Sequence, residues 1–464
     1  MEKNSISRRS FLKSSAFAGA AGVVGTGSAT GLLTSCQEKV TGPVYTPLKE
    51  PGSYYLPELV EAPIEGKALK VGLIGCGGQG TGDLKNLLNV IKGKGITVTA
   101  LGDTFKDRLD GAVAAVKEAT GVEVPENMRF LGLDAYKQVI DSGLDMVMIV
   151  TPPYFRPIHF KYAVEKGLHC FMEKPLFVDA AGYRSVVATA KQAQTKKLAV
   201  IVGTQRHHQR SYVAAHEQVM NGLIGDITGG VVYWNQGQLW FRDRKPEYKS
   251  DLEWMIRDWV NWTWLSGDHI VEQHVHNIDV FTWFSGLRPA KAVGLGARHR
   301  RVTGDQFDCF GIDFTMDNGI HVASMCRQIN GCSGPVSEFI QGSKGSLDTN
   351  GKMEIKNLKG EVVWKYDSDA EKEKFKVNSP TQLELIAWIN FIRSGKSIDQ
   401  ASELAVSNMM AVMGREAAYT GKDVTWEAMT ASSMDLTPPD LSFTGKMDFK
   451  RYSVPVMGTE SGKS

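Results

Sequence analysis

From about residue 70, short apolar runs alternate with stretches whose apolar positions recur every three or four residues. LKVGLIGCG (69–77), TVTALGD (97–103), DMVMIVTPP (145–153), HCFMEKP (169–175) and LAVIVGTQ (198–205) are the runs. They are nearly continuous rather than alternating, the mark of strands buried on both faces of a parallel sheet. Stretches such as 107–119 and 180–194 supply the amphipathic helices between them. After about residue 205 the pattern changes. GGVVYWNQGQLWF, AVGLGARHRRV, CFGIDFTMDNGIHVASMCRQ and MEIKNLKGEVVWKYD are longer and alternate, with an Asp-Asn-Gly turn at 317–319. Residues 380–421 return to helix, in two stretches that each close on Gly. The expected fold class is α/β: a doubly wound parallel sheet followed by an α+β domain with a large, mainly antiparallel open sheet. The expected divisions are 70–204 for the first domain, 205–445 for the second and 446–464 for a tail.

The first 69 residues do not fit either pattern. SRRSFLK (7–13) places two arginines before a weakly apolar run diluted by Gly19, Gly22, Gly25, Gly27 and Gly31. A membrane-spanning helix wants about 20 strongly apolar residues. Residues 1–36 therefore read as a cleaved twin-arginine signal, used by a translocase that carries folded proteins. Leu33-Thr34-Ser35-Cys36 resembles a lipoprotein cleavage box, with Cys36 as the lipid anchor. The expected location is outside the cytoplasm, periplasmic or membrane-anchored and facing the periplasm. Residues 37–69 carry several prolines and no period, and read as an extended arm. Tyr45, Tyr54, Tyr55 and Leu56 give that arm the means to pack on a neighbour.

Composition narrows the function. The 464-residue chain is 42% hydrophobic and 22% charged, with a formal net charge of +2 that the basic signal accounts for. The remainder is close to neutral, which argues against nucleic-acid partners and a polybasic membrane surface. Cys76, Cys170, Cys309, Cys326 and Cys332 show neither CxxC nor Cys/His metal spacing, so no metal is expected and the thiols read as buried.

Gly75-Cys76-Gly77-Gly78-Gln79-Gly80 is a G-x-G-x-x-G between the first strand and the next helix. Gly75, Gly77, Gly78 and Gly80 let backbone N–H groups approach a pyrophosphate, and the helix N-terminus faces its charge. Asp103 ends the second strand where a ribose hydroxyl would lie. An acid there repels a 2′-phosphate, so NAD is expected before NADP.

With these motifs, the ordered set GLIGCGGQG, VTPPYFRPIH, EKP and EQHVHNID resembles the glucose–fructose oxidoreductase/inositol dehydrogenase/MocA family over roughly residues 70–425. The resemblance implies a Rossmann first domain. It places Glu173 and Lys174 beside the nicotinamide and the substrate hydroxyl, with Pro175 commonly cis. It sets Thr151, Pro152 and His159 along the cofactor, and it implies a homo-oligomer that pairs through the open sheet.

In EQHVHNID, Glu272 and His276 are spaced i, i+4, and His276 and Asp279 i, i+3, so a helix puts them on one face. The family has an acid and a histidine at this spacing, pointed at the nicotinamide. Its usual acid is Asp, where this chain has Glu272. Oxidising a secondary alcohol moves a hydride to the nicotinamide and a proton to a base. His276 is the expected base and Lys174 the electrostatic partner, with the two roles interchangeable on sequence alone. Glu272 would orient or balance the imidazole. His274 faces elsewhere on a helix and reads as structural.

The family places substrate contacts in GTQRHHQRSY, which implicates Arg206, His207 and Arg210. RDWVNWTWLSGD adds Trp259, Trp262 and Trp264, whose faces suit a sugar ring, and Arg257 and Asp258, which suit hydroxyls; Asp279 completes the substrate set. The function expected is an NAD(P)-dependent oxidoreductase on a sugar, glycoside or polyol, one outcome being a 3-keto-glycoside. Its cofactor would be loaded before export and recycled in place. Two alternatives stand beside it: a glycoside hydrolase or lyase working by transient oxidation and elimination, and a non-catalytic sugar-binding lipoprotein.

Overall fold

The computed structural model describes residues 57–92 and 94–459. The signal, Cys36 and the first part of the arm, with Tyr45, Tyr54, Tyr55 and Leu56, lie outside them. The first sheet starts with β1 (Leu69–Ile74), β2 (Ile96–Asp103), β3 (Arg129–Leu131), β4 (Met146–Ile149), β5 (His169–Met172) and β6 (Ala199–Val202), ordered β6-β5-β4-β1-β2-β3 with every pair parallel. The chain begins in the middle, winds outward through β2 and β3, then crosses back over β1 to β4. That reversal opens a crevice at the carboxyl ends of β1 and β4, where ligands of such sheets bind.

The near-continuous apolar runs are explained by the period of two. Val71, Leu73, Leu101, Met146, Met148, Phe171 and Ile201 enter one core; Ile74, Ala100, Val147, Ile149, Cys170, Met172 and Val200 enter the core on the opposite face.

The second sheet contains β7 (Ile227–Gln236), β8 (Pro289–Ala297), β9 (Cys309–Met316), β10 (His321–Gln328), β11 (Val336–Gly342), β12 (Gly345–Asp348), β13 (Glu354–Asn357) and β14 (Val362–Lys365). β7 and β10 pair parallel at its centre, and the flanking pairs are antiparallel. Burial alternates along β9 and β10, which gives one face to the core and one to the outside. Helices Val275–Ser285 and Gln400–Thr420 cover the inner face. Two short strands finish the sheets: β15 (Ile398–Asp399) extends the first beyond β6, and β16 (Val424–Thr425) the second beyond β8.

A third apolar cluster forms a roof over the crevice. Leu252, Met255, Ile256, Trp262, Trp264 and Leu265 come from one segment, Tyr154 and Val178 from the first sheet's loops, and Tyr452 from the C-terminal segment. The segment from 436 to 452 therefore packs, with Leu436, Leu441, Phe443 and Met447 against this cluster. The described end of the arm also packs: Glu61 accepts the backbone N–H groups of Lys376 and Val377, and Arg393 donates to the carbonyls of Ile64 and Lys67.

Candidate active site

A cleft of about 600 Å³ lies along the carboxyl edge of the first sheet. Its floor is the glycine loop. Gly75 has φ +93°, and a Cβ on Gly80 would stand 1.9 Å from the Gly75 carbonyl oxygen, so both positions require glycine. Side chains at Gly77 and Gly78 would meet nothing within 4 Å, because these two face the open cleft. The helix Gly78–Val90 starts here with no side-chain cap, leaving N–H groups for an anion. Asp103 accepts the N–H groups of Cys76 (2.7 Å) and Phe105 (2.8 Å) and lines the cleft. Each of its oxygens keeps a lone pair for a hydroxyl. An open glycine cradle, an uncapped helix start and a fixed acid fit a dinucleotide.

The other end of the cleft collects the reactive groups. Gln79, Thr151, Pro152, His159, Glu173, Lys174, Glu272 and His276 all line it. The Lys174–Pro175 peptide is cis. Asn408, on the long helix Gln400–Thr420, holds the turn that follows: its carbonyl oxygen accepts the N–H groups of Leu176 and Phe177, and its amide donates to the Phe177 carbonyl. Lys174 Nζ donates to the Glu272 carbonyl (2.8 Å) and to Glu272 Oε1 (3.1 Å). An ammonium has three N–H groups, so one is left for the cleft.

Glu272 and His276 do not share the one continuous helix that their i, i+4 spacing predicts. The helix His269–Glu272 ends, and a new helix starts at Val275. The break turns the Glu272 carboxylate onto Lys174, so the acid balances the lysine and not the imidazole. Asp268, at φ +72°, starts this segment; its carboxylate takes the N–H groups of His269 and Phe307 and the Tyr419 hydroxyl, which fixes the unusual backbone. His276 stacks on Trp234 at 5.5 Å. Burial, then the charges of Lys174 and Arg206, hold its pKa well below the usual histidine value, so the ring is neutral. His159 is held at about 3 by burial and by Arg156; it shares a hydrogen bond with Thr151 (3.2 Å) and stacks on Tyr136. It is a neutral wall of the cleft.

Four expected substrate residues are not brought to the cleft. Arg206 pairs with Glu338 at 2.7 Å. His207 and Asp279 meet each other at 2.6 Å, with Ser407 on the second Asp279 oxygen. Trp262 is buried in the roof against Trp254 and Tyr452. These groups found partners inside the protein, as buried polar and aromatic groups must. Arg210 likewise pairs with Glu371, Trp264 is a roof residue, and His274 is buried on Ser324. Trp259 does line the cleft, with Trp240, 43% exposed, edge-on to it at 6.3 Å.

The sequence reading missed Trp240, Arg156 and Glu384, which line the cleft too. Arg156 is buried beneath the Lys174 turn and donates to the Pro175 carbonyl; burial lowers its pKa to about 10 against the charges of Glu173 and Glu272. Glu384 is a lone acid in an apolar helix; burial, then Glu173, pushes its pKa well up. Glu173 is also pushed up, by burial. A lone acid inside an apolar helix was the visible signal for Glu384.

Residues 69–204 match the family model described as oxidoreductase family, NAD-binding Rossmann fold. An inositol 2-dehydrogenase of Cereibacter sphaeroides is 32% identical over 155 residues, 33% of this chain and 42% of that protein. A glycosyl hydrolase family 109 protein of Shewanella pealeana is 26% identical over 255 residues, 54% of this chain and 48% of that protein. The chain spans about half the length of the curated relatives it matches. Among solved structures, scyllo-inositol dehydrogenase from Lactobacillus casei, with bound NAD(H) and scyllo-inositol, covers 77% of this chain and 99% of its own, with TM-score 0.58 and 20% identity. That likeness extends to the second sheet and is one of fold. The sequence match and the glycine cradle agree: residues 69–204 are an NAD-binding Rossmann domain of the glucose–fructose oxidoreductase/inositol dehydrogenase/MocA family.

Proposed function

We propose that this chain is an NAD-dependent oxidoreductase acting on a secondary alcohol of a sugar, glycoside or polyol. The observation that carries this reading is that Lys174 and His276 line the same cleft as the glycine loop and Asp103. Gly77, Gly78 and the helix start would hold the pyrophosphate, and Asp103 a ribose hydroxyl. A nicotinamide at the far end supplies the hydride acceptor. His276, neutral, takes the hydroxyl proton on a ring nitrogen. The remaining N–H of Lys174 donates to the same oxygen as charge grows on it. Glu272 holds the ammonium in place by two contacts. Trp240 and Trp259 offer faces for the C–H surface of a ring.

The family 109 relative, aligned over 54% of this chain, favours a second reading. There a ring carbon would give up a hydride to a bound nicotinamide, a base would remove the proton beside the new carbonyl so that the glycosidic oxygen leaves and is protonated, water would add to the enone, and the hydride would return. The twin-arginine motif supports export of a folded protein with its dinucleotide on board, periplasmic or lipid-anchored at Cys36. The open outer face of the second sheet, where Leu295 and Met325 are exposed, suits pairing with a second copy.

Purification without added nucleotide tests the retained cofactor. The denatured protein is expected to release close to one NAD per chain, identified by mass. A glycoside screen with and without a soluble electron acceptor then separates the readings. Acceptor-dependent loss of two hydrogens fits the oxidoreductase, and acceptor-independent cleavage fits the hydrolase. No conversion of any sugar or polyol by nucleotide-loaded protein sinks both.

A further inference from the structure

Besides its packing on Tyr154 and Phe155, the roof meets the segment that follows β2. Arg257, at the end of the helix Asp251–Arg257, donates to both carboxylate oxygens of Asp107 at 3.2–3.4 Å. Its guanidinium lies 3.8 Å from the centre of the Phe105 ring. Glu253, one turn back, takes its Nε at 2.9 Å and fixes the side chain from the roof side. Phe105 and Asp107 follow Asp103 directly. In a Rossmann domain the acid at this strand end meets the ribose of the adenosine half, so the Arg257 contact stands over that half of the cleft. Phe443, from the C-terminal segment, meets Phe105 at 6.5 Å and closes the same corner. The contact joins two distant segments, 150 residues apart.

We infer that Arg257, clamped on Asp107 and Phe105, is a latch that makes release of the adenosine half slow, and that the roof is the cofactor-retaining device of this chain. The inference rests on the reading of a retained dinucleotide. A salt link with a stacked guanidinium resists opening more than either contact alone. Asp107 is more than half exposed, so its removal is not expected to disturb the fold.

The test is exchange of bound NAD for isotopically labelled NAD, followed by mass spectrometry on the wild type, Arg257→Ala, Asp107→Ala and the double variant. Arg257→Ala, which removes both the ion pair and the stack, should exchange about tenfold faster than wild type, and Asp107→Ala, which removes the ion pair alone, about two- to fivefold faster. The double variant should be no faster than Arg257→Ala, which already removes the ion pair that Asp107→Ala removes. High salt should speed wild-type exchange and leave the double variant unchanged. Wild-type rates in both single variants overturn the latch while the retained cofactor stands. Complete loss of NAD from wild type on gel filtration overturns the retention reading itself. Thermal midpoints of the stripped proteins show whether Arg257→Ala has merely loosened the roof; the Asp107→Ala rate decides if it has.

Discussion

Two buried polar clusters touch the same ring, Trp234, and only one is open. On one side, Arg206 lies over Trp234 and pairs with Glu338, which is fully buried and also accepts from Tyr212, Asn277 and Thr349. His207, Asp279, Ser407 and Thr282 form a chain beside it. On the other side, His276 stacks on Trp234 and faces Lys174, Glu272 and the cleft. The residue types are alike: a cation, an acid and a histidine in each. The difference is saturation. Glu338 and Asp279 take their donors from the protein, whereas Lys174, with an N–H left over, and His276 line the cleft. A closed network holds the fold, and an open one can do chemistry.

Substitution can break that contrast. Lys174→Ala and His276→Ala should each lower kcat by about 10²–10⁴, with unfolding midpoints close to wild type. Turnover on an identified substrate and thermal melts are the measurements; retained turnover in both ends the site assignment. Glu338→Ala should do the reverse. It strands a buried guanidinium, so stability is expected to fall by about 3–5 kcal/mol, with kcat of the surviving folded fraction much less affected. Urea unfolding checks it.

Two finer experiments sharpen the comparison. Glu272→Gln keeps the shape and removes the charge that steadies Lys174. A loss of about tenfold in kcat/KM is expected, the scale of one charge-assisted bond. The smallest effect is that of pH. In the proposed mechanism the base is neutral His276, whose pKa burial holds well below the ordinary value. Lowering the pH through about 6.5, where a free histidine gains its proton, should leave the alcohol-oxidation rate flat. The rate should fall only below that range. A midpoint at the ordinary value would show that His276 is solvated or is not the base.

How much of this could be read from the sequence follows the range of each interaction. The cofactor floor was legible because its signals are local: glycines at fixed spacing, a strand that ends in an acid, and the EKP turn. Lys174 and His276 were legible through resemblance. The partner of Arg206 was not, because Glu338 stands 132 residues away and nothing near Arg206 announces it. The role of Glu272 was misread because the helix period was carried through Gln273 and His274, where the chain breaks. Trp262 and Trp264 read as sugar platforms from their clustering, yet they bury themselves in the roof, the commoner fate of tryptophan. Trp240, in a long loop, gave no sign until the loop was seen over the cleft.

The strand Ile398–Asp399 alters what counts as a module in this chain. It pairs with Ala199 and Val200, Gln400 accepts the Val202 N–H, and Trp388 packs on Phe171 while donating to the Ala199 carbonyl. The nucleotide-binding half recognisable in residues 69–204 is therefore finished by a piece made almost two hundred residues later. A gene fragment cut at 204 would expose an unpaired edge and the seat of that tryptophan. Anyone recombining this half with another partner domain must carry 380–400 along. During synthesis, too, the first sheet waits for the second to be translated before its own last strand arrives.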